Sequence, residues 1–214
     1  QIEAYERDGY VLVSGLIPDD IAGLAADAVW EGMGAGPDDP GSWPDRYAEN
    51  HKQVEIVACY TESFLGAAAQ LCGDPVDTVR APKGATAITI FPTSEEWTPP
   101  RPHIDHAIKD HGHKTFPRPF RVATMTFLSD VEMQGGGTAV WPGSQYQIEA
   151  LARSDEAHYA YMWVLNQELD QAGLGDAVVT QPKRGDVLFY SYLCAHAGSK
   201  NTSSRPRPAL NYKW

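Results

Sequence analysis

The chain has little of what marks several classes of protein. Its three cysteines, Cys59, Cys72 and Cys194, form no CxxC motif and no even set for a disulfide framework. No segment approaches the roughly 18 consecutive apolar residues of a membrane-spanning helix. Basic residues number 17 against 28 acidic ones, which gives a net charge of −11 at pH 7. The odd cysteine count predicts a reducing, cytoplasmic location, and the charge argues against nucleic acid as a partner.

The 214 residues fit one domain, and the order of predicted elements indicates a mainly β fold with packed helices. Apolar residues recur at helical spacing from Ile17 onward, and residues 45–72 and 154–172 also look mostly helical. Alternating segments predict strands at residues 86–91, 122–127, 138–141, 177–180, 186–190 and 208–214. We therefore expect a mostly helical part, residues 1–75, packed on an antiparallel sandwich or jelly roll, residues 76–214.

Two short segments contain candidate metal ligands. His103 and Asp105 form an HxD pair in the middle of the chain, and His196 lies near its end. Two imidazoles and one carboxylate can occupy one face of an octahedral metal and leave three positions open. This is the ligand set of non-haem iron(II) enzymes that activate oxygen. Arg207, on the last predicted strand, is a candidate anchor for a carboxylate-bearing co-substrate. Arg205 would share its face of the strand, so alternation alone does not separate the two arginines.

Further motifs accompany these residues. The segment 5–13 reads YERDGYVLV, a Pro-Gly-Ser turn stands at residues 142–144, and ten residues separate His196 from Arg207. In these features the chain, over nearly its whole length, resembles the phytanoyl-CoA dioxygenase-like family of iron(II)- and 2-oxoglutarate-dependent oxygenases. The resemblance implies a double-stranded β-helix core, that is, a cupin-like jelly roll. It also implies Fe(II) and 2-oxoglutarate as cofactors.

By position, the resemblance implies three iron(II) ligands: His103, Asp105 and His196. It implies a salt bridge between 2-oxoglutarate and Arg207, which favours Arg207 over Arg205 as the anchor. Thr124 matches a position where the family often places a hydroxyl on the co-substrate. Thr138 lies on the strand at 138–141, and its alternation with Val140 makes it a further candidate to point inward beside the co-substrate.

Two other residues are candidates to contact the substrate. His106 directly follows the HxD pair, and Trp141 would either form a wall of the pocket or belong to the core. The predicted reaction is oxidation of a small molecule by O₂ with release of succinate and CO₂. Related halogenases lack the carboxylate ligand, so the presence of Asp105 favours hydroxylation over halogenation.

Two alternatives from other classes stay open at this point. One is a non-catalytic protein that keeps the jelly roll and binds a small molecule. The other is a metal-dependent, cupin-type enzyme that uses no 2-oxoglutarate. Only the oxygenase requires succinate release, so that product distinguishes the three. The sequence indicates neither the substrate nor the oligomeric state.

Overall fold

A computed structural model describes residues 1–105 and 112–214 of the chain. Its helices are α1 (Ile2–Asp8), α2 (Asp19–Met33), α3 (Val54–Ala58), α4 (Glu62–Cys72), α5 (Ser144–Ser154) and α6 (Met162–Gln167). Its strands are β1 (Tyr10–Val13), β2 (Tyr47–His51), β3 (Ala85–Ile90), β4 (Val122–Phe127), β5 (Thr138–Val140), β6 (Val178–Val179), β7 (Val187–Ser191), β8 (His196–Gly198) and β9 (Arg207–Lys213). Among the described residues, no helix is both long and apolar enough to cross a membrane.

The strands form a larger and a smaller antiparallel sheet. The larger sheet has the order β1-β7-β4-β9-β3-β2, and the smaller one has the order β6-β5-β8. A core cluster combines Met125 and Leu188 from the larger sheet with Val140 from the smaller sheet, so the sheets face each other across it. This is the jelly roll with packed helices that the sequence predicts, and the prediction of the fold class is confirmed.

Helices cover the outer faces of both sheets. Behind the larger sheet, Phe189 of β7 shares a buried cluster with Ala25 of α2 and Phe64 of α4. Behind the smaller sheet, Ala139 of β5 shares another cluster with Ile148 of α5 and Leu165 of α6. Because side chains alternate across a strand, residues next to these ones in sequence point between the sheets. The space between the sheets is therefore where polar side chains on the strands meet.

Helix α2 shows how the sequence specifies a covering element. Its buried residues include Ala22, Ala25 and Val29, which lie on one helical face, and two aspartates stand in its first turn where the helix dipole favours negative charge. It ends at Gly34, whose φ of 70° is the left-handed conformation that closes many helices. These small apolar residues let the helix lie close to the larger sheet.

Several predicted boundaries need correction. Residues 45–72 were expected to be mostly helical, but they begin with β2, and only then follow α3 and α4. Little of the helix expected at residues 154–172 forms as predicted, because α5 ends at Ser154 and the helical parts of that range are α6 and a short 3-10 helix, Leu169–Ala172. Strands β1 and β2 are the two edges of the larger sheet. The part of the chain before residue 76 therefore contributes strands to the jelly roll as well as helices.

Candidate active site

His103, Asp105 and His196 come together between the sheets. Each offers one ligand atom, and these three atoms all lie within 4.8 Å of one another. In the described part of the chain this is the one group of histidine, cysteine or acidic side chains so arranged. Two neutral imidazoles and one carboxylate on a shared centre match the facial triad that holds a non-haem iron(II) ion. The residues present therefore fit such a metal.

Backbone hydrogen bonds hold the two histidines side by side. His103 and His196 form an antiparallel bridge, with N···O distances of 2.9 Å in both directions, and their ring centroids are 4.4 Å apart. Nδ1 of His196 lies 2.9 Å from the carbonyl oxygen of Cys194. A carbonyl oxygen only accepts, so Nδ1 carries the proton and donates. Nε2 of the neutral ring therefore keeps a free electron pair with which it can bind a metal. Metal-ligating histidines usually donate their other ring N–H in this way.

The carboxylate of Asp105 is held through both of its oxygens. Lys213 places Nζ 2.9 Å from Oδ1, and the hydroxyl of Tyr190 donates to Oδ2 over 3.2 Å. Asn211 in turn donates to the Tyr190 oxygen over 3.0 Å. Burial alone would raise the pKa of Asp105, but nearby His196 and Lys213 outweigh it and hold that pKa well below its usual range. The carboxylate is therefore ionised and ready to bind a cation.

Sequence analysis missed Tyr190, Asn211 and Lys213. One signal for two of them was available, because Arg207, Asn211 and Lys213 alternate along β9 and share one face of it. Tyr190 reaches the same face from β7, where it lies opposite Ala123 of β4. No motif connects these residues to the HxD pair, and only the pairing of the strands brings them to it.

We expect these supporting residues to strengthen metal binding. Replacing Tyr190 by phenylalanine or Lys213 by methionine removes one hydrogen bond to Asp105, and loss of such a partner typically costs 10- to 100-fold in metal affinity. Titration with iron(II) under anaerobic conditions measures the effect. Lys183→Met is the matched control, because Lys183 is exposed and pairs with Asp130 elsewhere on the surface. Equal affinities in all of these variants would contradict the role assigned to Tyr190 and Lys213.

Arg207 is the largest buried charge on the interior face of the larger sheet. Its side chain is 2% exposed, and its Nε donates to the carbonyl oxygen of Gly136 over 2.8 Å. Within the described ranges, its Nη1 has no hydrogen-bond partner. Burial lowers the pKa of Arg207 to about 10, so the group remains charged at neutral pH. A buried guanidinium with a free donor suits a carboxylate, which it can bind with two parallel hydrogen bonds.

Gly136 makes this arrangement possible. Its φ of 80° is left-handed, and a Cβ there would lie 3.2 Å from Asn201 and 3.3 Å from Ile90. A larger residue would therefore be strained and would push against the strand next to Arg207. The close approach of the chain at Gly136 is what brings its carbonyl oxygen to the guanidinium.

Thr138 points into the same interior. It lies opposite Gly198 of β8, two residues from Val140, which lies opposite His196, so Thr138 and His196 share a face. The Thr138 side chain is buried, and its hydroxyl has no hydrogen-bond partner among the described residues. A buried hydroxyl without a partner is costly. Thr138 thus points inward, as its alternation with Val140 predicts, and its contact with a co-substrate stays a prediction.

The structure corrects the expectation for Thr124. On β4, Met125 lies opposite Asn211 and so faces the interior, whereas Thr124 lies opposite Phe189, which belongs to the helix-covered side. The Thr124 hydroxyl donates to the backbone carbonyl of Tyr212 over 3.3 Å. Because alternate residues of a strand point to opposite faces, Thr124 cannot also reach a molecule beside Arg207.

The remaining candidates are placed as follows. Trp141 is 7% exposed and packs in the cluster behind the smaller sheet, so the expectation that it walls the pocket is replaced by the core role. His106 lies outside the described residues. Arg205 is exposed and precedes β9, whereas Arg207 is its first residue. Of the two arginines, Arg207 is the one inside the jelly roll.

Comparisons with known proteins agree with this geometry. A sequence profile described as phytanoyl-CoA dioxygenase (PhyH) matches residues 5–209. A search of curated proteins finds no match.

Solved structures of similar fold include several with bound metal. The epimerase SnoN in complex with Fe³⁺, alpha ketoglutarate and nogalamycin RO has 17% identity and a TM-score of 0.66, over 98% of this chain and 80% of SnoN. HygX from Streptomyces hygroscopicus with nickel and 2-oxoglutarate bound has 13% identity and a TM-score of 0.58, over 100% of this chain and 85% of HygX. EctD from S. alaskensis with bound Fe has 16% identity and a TM-score of 0.63, over 100% of this chain and 75% of EctD. At these identities the likeness shows a shared fold.

Proposed function

Because the chain belongs to the phytanoyl-CoA dioxygenase (PhyH) family, we propose that it is an Fe(II)- and 2-oxoglutarate-dependent dioxygenase that hydroxylates a small molecule. The observation that carries the proposal is the triad of His103, Asp105 and His196, whose ligand atoms lie within 4.8 Å of one another. Two buried donors that point between the sheets give it further support. They are Nη1 of Arg207 and the hydroxyl of Thr138, neither of which has a partner among the described residues.

Each residue has a distinct part in this proposal. His103, Asp105 and His196 hold the iron, and Tyr190 and Lys213 fix the Asp105 carboxylate. Arg207 binds the far carboxylate of 2-oxoglutarate, and Thr138 donates to the same molecule. Iron and 2-oxoglutarate, when bound, supply the oxidation of a C–H bond by O₂ with release of succinate and CO₂. The protein contributes position, charge and a site from which most water is excluded.

Hydroxylation is proposed because the carboxylate ligand is present. With the metal bound, Asp105 would be a ligand in place of the halide that a halogenase binds, which disfavours halogenation. The similar structures include an epimerase, SnoN, so the class of oxidation is a separate question from the cofactors. Product analysis separates the outcomes, because hydroxylation adds one oxygen atom to the substrate and epimerisation adds none.

We also propose a cytoplasmic location. The three cysteines are all buried and free, and burial raises the pKa of Cys59 and of Cys194 to about 12. Buried, unreactive thiols suit a reducing compartment.

The proposal is tested by an anaerobic visible spectrum of the purified protein with iron(II), before and after addition of 2-oxoglutarate. We expect a weak charge-transfer band that needs both additions, because only chelation of the metal by the keto acid produces it. The band should be missing in His103→Ala and unchanged in His158→Ala, whose histidine is exposed and pairs with Glu168. A protein that binds iron but shows no band with 2-oxoglutarate would instead support the metal-only or binding-protein alternatives.

A further inference from the structure

A basic cleft of about 660 Å³ lies beside the metal centre. Its charged lining consists of Lys52, Arg80, Lys83 and Lys213, and its lining includes no aspartate or glutamate. The whole chain has 28 acidic and 17 basic residues, so a cleft with basic residues alone departs from the rest of the molecule. Within the described ranges, no carboxylate pairs with Lys52, Arg80 or Lys83, and only Lys213 has an acidic partner, Asp105.

The cleft connects directly with the predicted iron ligands. Lys213 lines it and at the same time contacts Oδ1 of Asp105 at 2.9 Å. Beside Lys213, a polar row crosses the interior face of the larger sheet, since Asn50 lies opposite Thr86 and Thr86 lies opposite Asn211. A molecule bound to this row and to the basic residues would therefore lie one side chain away from the triad.

Contacts with neighbouring segments hold the backbone that carries the basic residues in place. The indole of Trp214 donates to the backbone carbonyl of Arg80 over 3.2 Å, which ties Arg80 to the end of β9 that carries Lys213. Gly84 follows Lys83 and passes so close to β2 that a Cβ would overlap the carbonyl oxygen of His51 and come within 2.9 Å of the Lys52 side chain. These contacts hold Lys52 and Lys83 on the same rim.

A neighbouring cleft extends the positive region. It has a volume of about 510 Å³ and shares Arg80 and Tyr212 with the first. It adds Arg118 and Arg121, and its one acidic lining residue, Asp74, is already paired with Arg121. Unpaired basic side chains at the edge of a concave site raise the local concentration of anions.

We propose that this basic cleft binds an anionic group of the substrate, a carboxylate or a phosphate, and so presents the rest of the molecule to the metal. This inference rests on the proposed function, because it takes the reaction to occur at the triad of His103, Asp105 and His196. Arg80 is the central residue, since it lines both clefts and a guanidinium binds either anion with two hydrogen bonds.

Small aromatic probes test the cleft without knowledge of the substrate. Phenyl phosphate and benzoate carry the two anions, and benzamide is a neutral analogue. Binding is measured by calorimetry, both on the protein alone and under anaerobic conditions with iron(II) and saturating 2-oxoglutarate, so that Arg207 is occupied. Arg80→Ala/Lys83→Ala should weaken binding of the preferred anion about tenfold or more, because charge-assisted hydrogen bonds are lost. Higher salt should weaken wild-type binding as well.

The matched control is Lys183→Ala/Lys200→Ala, which removes the same formal charge from two lysines outside the cleft that pair with Asp130 and Glu95. A phosphate or a carboxylate preference in the wild type, lost in the cleft variant and kept in the control, supports the proposal and identifies the anion. Equal binding by cleft variant and control, or binding of benzamide as tight as that of both anions, would overturn it. The charge-transfer band of iron(II) with 2-oxoglutarate is measured in a separate experiment. Anion binding through Arg80 without that band would contradict the proposed function and leave the anion site standing.

Discussion

Replacing His196 by alanine should abolish iron-dependent turnover. His196 offers Nε2 to the metal, and its orientation is fixed by the bond from Nδ1 to the carbonyl of Cys194 and by the bridge to His103. Removal of a residue that only supports a metal ligand typically lowers metal affinity or activity about 10- to 100-fold. Loss of the ligand itself should therefore lower turnover by more than about a hundredfold. Succinate release from 2-oxoglutarate under saturating iron(II) measures this.

The comparison that makes this result specific is His158→Ala, which removes an exposed imidazole and leaves the triad intact. We expect wild-type succinate release from that variant. If His196→Ala released succinate at the wild-type rate, the assignment of all three ligands would fail, because two remaining ligands do not form a facial triad. A thermal unfolding curve for His196→Ala checks that the variant is folded before the rates are compared.

Replacing Arg207 by alanine should raise the 2-oxoglutarate concentration needed for half-maximal activity about a hundredfold. The guanidinium is fully enclosed, keeps one Nη1 free within the described part of the chain, and remains charged although burial lowers its pKa to about 10. Two charge-assisted hydrogen bonds to a carboxylate contribute about 1.5–3 kcal/mol each, which supports a loss of this size. Kinetics of 2-oxoglutarate consumption at varied concentration provide the measurement.

Two further variants give this prediction its contrast. Arg207→Lys should recover only part of the affinity, because an ammonium group cannot make the paired contacts of a guanidinium. Arg205→Ala should behave as the wild type, since Arg205 is exposed and lies before β9. An effect of Arg205→Ala together with normal kinetics of Arg207→Ala would transfer the anchor to Arg205.

The sequence predicted the strands whose side chains alternate between two environments. Residues 122–127 form β4 as expected, and the last strand, β9, departs from its prediction by one residue at each end. β1 was missed because its four residues read YVLV without polar alternation. β2 was missed because it is a mostly exposed edge strand, YAENH, that depends on pairing with β3. The pairing of strands that are distant in sequence cannot be predicted from the pattern of residues within each strand.

The candidate site likewise contains residues that the sequence indicated and residues that it did not. The sequence predicted that His103, Asp105 and His196 lie together, because their residue types match a known metal-ligand set, and the family resemblance is confirmed. Arg207 is buried inside the jelly roll, and its role as co-substrate anchor stays a prediction. Thr124 failed because its face depends on the register between β4 and its neighbours, which no single strand specifies. The supporting contacts of Tyr190 and Lys213 with Asp105, and the basic cleft around Arg80, arise only when distant segments pack together.

The main-chain bridge between His103 and His196 has a consequence for how the protein acquires its metal. In small zinc-dependent domains the ion and the fold form together, and a chelator unfolds the chain. Here two ligands are fixed by backbone hydrogen bonds of 2.9 Å that require no ion. We therefore expect metal loading to be a step separate from folding, governed by the supply of competing first-row metals. Protein that has taken up zinc or nickel would be fully folded yet inactive, and chelation followed by iron(II) should restore it.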